Sequence, residues 1–296
     1  MNVLSLFDGM SCGQIALTNL GCFPDKYYAS EVDKFAIQQT RHVFPGTIHI
    51  GDVTQVDVSK LDKIDLIIGG SPCQSFSFAG KQAGMATTEN IEVTDLDQYL
   101  DLKIMGFEFT GQSYLFWEYM RILTEVRKYN PNVKFLLENV VMSKKWEAVL
   151  TKAIGVDPVM INSNLVSAQN RKRLYWTNIA EITQPEDEGI FIRDILERDK
   201  DSIIVASRGR TGADGITRQN LEPRTDGKSN CLTTVQKDNL LQTGTGLRQL
   251  TPTECARLQT VPDWYEWAVS DTQIYRMCGN GWTVRVIEHI LKNLFV

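Results

Sequence analysis

Leu4-Ser5-Leu6-Phe7-Asp8-Gly9-Met10-Ser11-Cys12-Gly13 is an apolar run that breaks into a glycine-bearing turn and then into the helical stretch Gln14–Leu20. A strand that turns sharply into a helix is the opening unit of an open α/β sheet, and ligands sit in the crevice beyond the carboxyl ends of such strands. Glycine in that turn lets backbone approach a ligand closely. Two acids extend the pattern. Glu31 follows the second predicted strand, where a carboxylate can hold ribose hydroxyls. Asp52, in Gly51-Asp52-Val53, follows the third, where it can accept from an adenine amino group. The G-x-G-x-x-G of a dinucleotide site is absent, so an adenosine ligand without a pyrophosphate fits better. Either acid alone reads equally well as a helix cap.

Outward from that turn, short β-branched runs alternate with helical stretches, which predicts a parallel α/β sheet. Strands are expected at Asn2–Phe7, Tyr27–Ser30, Thr47–Ile50, Ile64–Ile68, Lys134–Glu138, Val159–Asn162 and Leu174–Thr177, with a packed helix over Tyr114–Tyr129. The stretch from Met85 to Glu108 interrupts the rhythm. It carries Glu89, Glu92, Asp95, Asp97, Asp101 and Glu108 against Lys103 alone and reads as an acidic surface insertion. From Asn178 to Gly246 the alternation fades and Gly, Thr and Arg rise. Arg208, Arg210, Arg218, Arg224, Lys228, Lys237 and Arg248 outnumber the nearby acids Asp214, Glu222, Asp226 and Asp238. Three segments are therefore expected: residues 1–177 as one α/β core, 178–246 as a small lobe with a positive surface, and 247–296 as a helical return to the core.

A chain of 296 residues suits one large core with a smaller lobe. The apolar amino terminus lacks a basic start and reads as a first strand, not a signal peptide. No apolar run reaches the roughly 20 residues that span a bilayer. Six cysteines without a C-x-x-C pair and three dispersed histidines point away from a metal site and toward a reduced, cytoplasmic setting. The net charge of −5 works against a nucleic-acid partner, but the distribution of charge matters more than its sum.

Ile67-Ile68-Gly69-Gly70-Ser71-Pro72-Cys73-Gln74 ends the fourth predicted strand with a cysteine at its carboxyl edge. A single cysteine is more often a small buried hydrophobe. Its place after a proline, at the edge where substrates bind, favours a nucleophile. Here a resemblance becomes plain. Ser71-Pro72-Cys73-Gln74 resembles the catalytic loop of the DNA cytosine-5 methyltransferases, bacterial and phage in type. Glu138-Asn139-Val140 is similar to that family's E-N-V motif, and Gln169-Asn170-Arg171-Lys172-Arg173 to its Q-x-R-x-R. Arg248-Gln249-Leu250-Thr251-Pro252-Thr253-Glu254 through Gln259 resembles R-x-L-T-P-x-E-x-x-R-L-Q, and Gly279-Asn280-Gly281-Trp282-Thr283-Val284 its last motif. The matches run in the family's order over nearly the whole chain. One departure is Ser11, which stands where bacterial members carry a second glycine. The Phe7-Asp8-Gly9 opening is closer to the animal de novo enzymes.

The resemblance implies a Rossmann-like S-adenosylmethionine-dependent methyltransferase sheet with a small target-recognition lobe. It implies methyl transfer from S-adenosylmethionine to carbon 5 of a cytosine flipped out of double-stranded DNA, through a covalent cysteine adduct. It assigns catalysis to Cys73, Glu138, Arg171 and Arg173, with Cys73 expected to be ionised by nearby positive charge. Cofactor contacts fall to Phe7, Asp8, Gly9, Gly13, Glu31, Val32, Asp52, Val53, Pro72, Asn280, Trp282 and Thr283. Substrate contacts fall to Ser71, Gln74, Asn139, Gln169, Thr233 and Thr234, the last two in Cys231-Leu232-Thr233-Thr234. A restriction nuclease encoded alongside is the protein partner such enzymes allow. Two alternatives stay open: the branch that modifies transfer RNA shares these motifs, and a catalytically silent DNA-binding relative would keep the fold. For Arg171 and Arg173, a solvated basic turn is the alternative.

Overall fold

The computed structural model describes residues 1–73, 76, 85–211, 214–234 and 238–295. Seven strands form the main sheet: β1 (Asn2–Leu6), β2 (Lys26–Ser30), β3 (Ile48–His49), β4 (Leu66–Gly70), β5 (Lys134–Val140), β6 (Val159–Asn162) and β7 (Lys172–Thr177). Their spatial order is β3-β2-β1-β4-β5-β7-β6. Alternate residues of β1 feed opposite faces. Val3 packs with Ile15, Tyr27, Ile68, Ile287 and Ile290 on one side. Leu4 and Leu6 pack with Tyr28, Ile67, Phe135 and Trp117 on the other. Burial on both faces explains why these strands read as near-continuous apolar runs. Helix α1 (Cys12–Asn19) leads into β2 and α2 (Lys34–Val43) into β3. The last helix, α9 (Val284–Leu291), packs on α1.

Two expectations need correction. The sheet is not all parallel, because β7 runs antiparallel to both β5 and β6. Between Asn162 and Lys172 there is only a 3₁₀ turn, Ser163–Leu165, whereas a parallel crossover takes about a dozen residues or more, usually with a helix. The region read as irregular is also a regular sheet. Strands β8 (Ile203–Thr211), β9 (Thr217–Pro223), β10 (Leu240–Thr243) and β11 (Gly246–Gln249) form four antiparallel strands in the order β11-β10-β8-β9. This sheet runs to Gln249. Its base residues Ile204 and Leu241 are buried and join the main core with Leu232 and Leu250.

The Met85–Glu108 stretch is more than a surface insertion. Its six acids are exposed, as expected, but Met85, Val93 and Tyr99 are buried beneath them. Its helix α3 (Leu96–Ile104) packs on α4 (Phe116–Tyr129). There the fully buried Glu118 accepts from Tyr99 Oη at 2.5 Å and Arg121 Nε at 2.7 Å, and pairs with Lys103. Three donors on one buried carboxylate offset its desolvation. The remaining helices are α5 (Lys144–Ile154), α6 (Ile192–Ile195), α7 (Pro252–Leu258) and α8 (Asp271–Asn280). Among the described residues, no helix is long and apolar enough to cross a membrane.

Candidate active site

The loop after β1 turns by placing alternate residues in the left-handed region: Phe7 at φ 58°, Gly9 at 57° and Ser11 at 64°. Ser11 thus takes the conformation that glycine holds cheaply, at a cost of roughly 1–2 kcal/mol for a residue with a β-carbon. Its hydroxyl donates to Asp8 Oδ1 at 3.2 Å, which ties the strained turn down. Gly13 is needed for a different reason. A β-carbon there would lie 2.1 Å from Ile68 Cδ1, so its absence lets α1 rest against β4.

Glu31, after β2, accepts from Gly9 N at 2.8 Å through Oε2, and from Val32 N and Asp33 N through Oε1. Its carboxylate therefore braces the glycine turn. Val32 beside it is 69% exposed, an apolar side chain left open at the crevice. Asp52 accepts from Thr54 N at 2.8 Å and caps a 3₁₀ turn, while Val53 is buried beneath. An exposed apolar side chain next to Glu31, with Asp52 beyond the end of the neighbouring strand, suits an adenosine that stacks on carbon and bonds at its polar edges. The Asp8 carboxyl accepts from Tyr27 Oη at 2.9 Å through Oδ1, whereas its buried Oδ2 has no partner. Burial pushes this group up to about 6.

Catalytic candidates converge one strand further along. Gly70 and Glu138 are register partners on β4 and β5, so the turn Ser71–Cys73 leaves the sheet beside the Glu138 carboxylate. Glu138 Oε1 pairs with Arg173 Nε at 2.9 Å, and its Oε2 accepts from Trp282 Nε1 at 3.1 Å. A β-carbon at Gly70 would come within 2.8 Å of that indole nitrogen and 3.0 Å of Oε2. Asn139 is buried and donates to Ser71 O at 3.2 Å and to Ser71 Oγ at 3.0 Å, which holds the cysteine turn on the sheet edge. Pro72 and Cys73 are half-buried there.

The expectation of an ionised Cys73 needs correction. Burial, then the Glu138 charge, push the thiol above its ordinary value, and Arg173 and Arg171 only partly offset them. Sequence reading named both the cations and Glu138, but not that Glu138 pairs with Arg173 and opposes the thiol's ionisation.

Several other expected residues face the protein interior. Arg171 is 3% exposed and donates to Leu232 O at 2.9 Å and Gly281 O at 2.8 Å. It acts on the chain itself, tying β7 to the 231–232 segment and to the end of α8. Gln169 donates to Leu258 O at 3.0 Å and accepts from Leu232 N at 2.7 Å. Thr283 donates to Gln259 Oε1 at 3.0 Å and bonds Ser163 Oγ at 2.8 Å. Both are buried, and both meet at Gln259, which also receives Gln169 Nε2 at 3.2 Å. Gln259, within a quoted motif but assigned no role, is the hub of this network. Asn280, Thr233 and Thr234 are exposed. Gln74 and Lys237 lie outside the described residues.

The cations of the second sheet divide by their partners. Arg208 and Arg210 share Glu222, and Arg218 pairs with Asp214, all on exposed surface. Arg224 bonds Asp226 and Asn230. Lys228 is buried, with its Nζ on Asn164 O at 2.8 Å and Ser167 O at 3.2 Å. Arg248 pairs with the buried Glu254 at 2.8 Å.

A family model for C-5 cytosine-specific DNA methylases matches residues 1–100 and 160–296, and Glu138 falls between the two stretches. The chain is 29% identical over 321 residues to the type II methyltransferase M.NlaX of Neisseria lactamica, covering 99% of this chain and 95% of that one. It is 29% identical over 307 residues to the type II methyltransferase M1.ScrFI of Lactococcus lactis subsp. cremoris, covering 90% and 71%. The solved structure of the S. pombe Dnmt2 methyltransferase shares the fold at a TM-score of 0.69 and 19% identity, over 100% of both chains.

Proposed function

The chain belongs to the family of C-5 cytosine-specific DNA methylases, and from that premise we propose that its substrate is cytosine in duplex DNA and that Cys73 is the nucleophile. It is a C-5 cytosine methyltransferase, and S-adenosylmethionine supplies the activated methyl group. Carbon 5 of cytosine is a weak nucleophile until a thiolate adds to carbon 6. The bond from Cys73 Sγ to carbon 6 converts the ring to an enamine, which splits one hard step into easier ones. Glu138 is the group that shares a proton with ring nitrogen 3, and Arg173 fixes its carboxylate. That exchange also removes an obstacle. When the proton leaving the Cys73 thiol is taken up between Glu138 and ring nitrogen 3, the carboxylate charge that opposes Cys73 ionisation is offset, and Arg173 acts on the thiolate.

Phe7, Asp8, Gly9, Glu31, Val32 and Asp52 form the proposed cofactor wall, with Pro72 and Trp282 bordering the reacting edge. The segment expected at 178–246, carried on to Gln249 by strand β11, is the proposed target-recognition lobe between two catalytic segments. A major groove admits a two-stranded ribbon, and the exposed β8–β9 hairpin, with Arg208, Arg210 and Arg218 on one face, suits it. We propose further that the enzyme works in the cytoplasm of a bacterial or phage-infected cell, with a restriction nuclease encoded alongside as its companion.

The observation that carries this reading is the register of Gly70 with Glu138, which brings the Cys73 turn and a carboxylate held by Arg173 to one sheet edge. A duplex with 5-fluorocytosine at the target tests it, because fluorine cannot leave carbon 5 as a proton does and elimination stalls. A covalent complex with cofactor present, lost in Cys73→Ser, is the expected result. Trapping through another cysteine overturns the nucleophile. Trapping of structured RNA in place of the duplex overturns the substrate.

A further inference from the structure

Of the six cysteines, five lie where burial or carboxylates oppose ionisation. Cys12 and Cys255 are pushed up to about 12, and Cys22, Cys73 and Cys278 are also raised. Cys231 differs in its neighbours. Its Sγ lies 3.2 Å from Arg171 Nη1 and 3.7 Å from Arg173 Nη2, between two guanidinium groups. Glu138 pairs with the far side of Arg173, and Cys73 lies beyond it within reach of the same charge. Gly279 O at the end of α8 and Gly281 O just after it accept from Arg171 Nη2, Leu232 O accepts from Nη1, and Arg171 Nε is buried without a partner. When protonated, Cys231 Sγ donates to Leu232 O at 3.4 Å.

We propose that Cys231 is the anionic counterpart of the Arg171–Arg173 pair, a thiolate that positions both guanidinium groups and competes with Cys73 for their charge. The geometry is that of a charge-assisted pair, with two fixed donors converging on one acceptor. Burial raises the Cys231 thiol, and Arg171 and Arg173 more than reverse it, leaving it below the ordinary thiol value. Alternating charge then runs Glu138, Arg173, Cys231, Arg171. Negative charge on Cys231 would draw further on the positive field that Arg173 and Arg171 lend Cys73, adding to the burial and the Glu138 charge that already raise it. Cys231 is a positioning residue, since it acts through the arginines. The inference rests on Cys73 being the nucleophile.

The test separates the two claims. In Cys73→Ser, the remaining thiols other than Cys231 are all raised, so a thiolate absorbance step below the ordinary cysteine range belongs to Cys231. Its presence supports the proposal, and its absence overturns it without reference to activity. In Cys231→Ser, which keeps the size and removes the ionisation, Cys73 alkylation by iodoacetamide is followed against pH by peptide mapping. The curve is expected to move to lower pH, raising the rate about tenfold below the midpoint, the consequence of a shift of about one unit. Cys231→Ala should do the same. A thiol that serves packing alone lowers the melting temperature in Cys231→Ala and leaves the Cys73 curve where it was, and that result overturns the proposal. If Cys73→Ser still forms the covalent adduct with 5-fluorocytosine DNA, the nucleophile assignment fails instead, whatever Cys231 does.

Discussion

Asp8 offers a direct measure of what the cofactor loop costs the empty protein. Its carboxyl group is buried, one oxygen is held by Tyr27 and Ser11, and the other has no partner. Burial raises it from 3.8 to about 6. An acid with a raised folded pKa binds more protons folded than unfolded between those values. Stability therefore falls as pH rises from 3.8 toward 6 and stays reduced above. A difference of about two units corresponds to roughly 3 kcal/mol. Asp8→Asn removes this dependence while keeping the oxygen that Tyr27 and Ser11 need. Whatever its new amide protons gain or lose, Ser5 included, adds an offset independent of pH. Melting of both proteins without cofactor across the acid-to-neutral range is the assay. The variant's advantage should grow by about 3 kcal/mol, or about 6 °C at roughly 2 °C per kcal/mol for a chain of this size. The cationic cofactor favours an anionic Asp8, so saturating S-adenosylmethionine should stabilise the wild type more than the variant. A stability difference that is flat with pH refutes the reasoning.

Glu138→Gln keeps shape but offers one acceptor where Arg173 and Trp282 both donate. Methyl transfer should fall about 10²–10⁴-fold with cofactor affinity preserved, and turnover within a factor of a few of wild type makes Glu138 structural. Gly279→Ala places a β-carbon 2.7 Å from the Thr233 carbonyl, and backbone cannot swing aside as a side chain does. Overpacking of about 1–3 kcal/mol should appear as a lower melting temperature, with cofactor titration unchanged; an unaltered melt rejects the close approach of α8 to that segment. Arg210→Ala on the exposed hairpin should relax the methylated site at one position by about tenfold or weaken all duplexes alike with a flatter salt dependence. If methylation-aware sequencing and salt titration both match wild type, the hairpin does not touch DNA.

What the sequence made legible is the chemistry that demands a residue type at a strand end. Cys73 and Glu138 stand out because each follows an apolar run at the edge where an α/β sheet binds ligands, and the register of β4 with β5 brings those edges together. Strand direction left a weaker trace. Apolar runs mark β6 and β7 as strands, and only the short link between them signals that β7 reverses. The second sheet left less still. Along β8 and β9 both faces of the hairpin beyond Ala206 are largely open to water, so polar residues occupy both and no alternation survives to be read. In the acidic stretch, six exposed charges masked the buried Val93, Tyr99 and Leu102.

The roles of Arg171 and Cys231 were illegible for a more basic reason. The Arg171 Nη atoms donate chiefly to the carbonyls of Leu232, Gly279 and Gly281, while Nε is buried without a partner, and any residue type supplies a carbonyl. A motif can announce that a guanidinium is required and still conceal whether it faces substrate or its own backbone. Cys231 has the converse difficulty. As a residue type it reads as a small hydrophobe, and its meaning comes from two arginines some sixty positions upstream that reach it only when β7 runs antiparallel along β5. The same reversal that broke the parallel pattern sets Arg173 between Glu138 and Cys231, and so decides how the site shares its positive charge between two thiols.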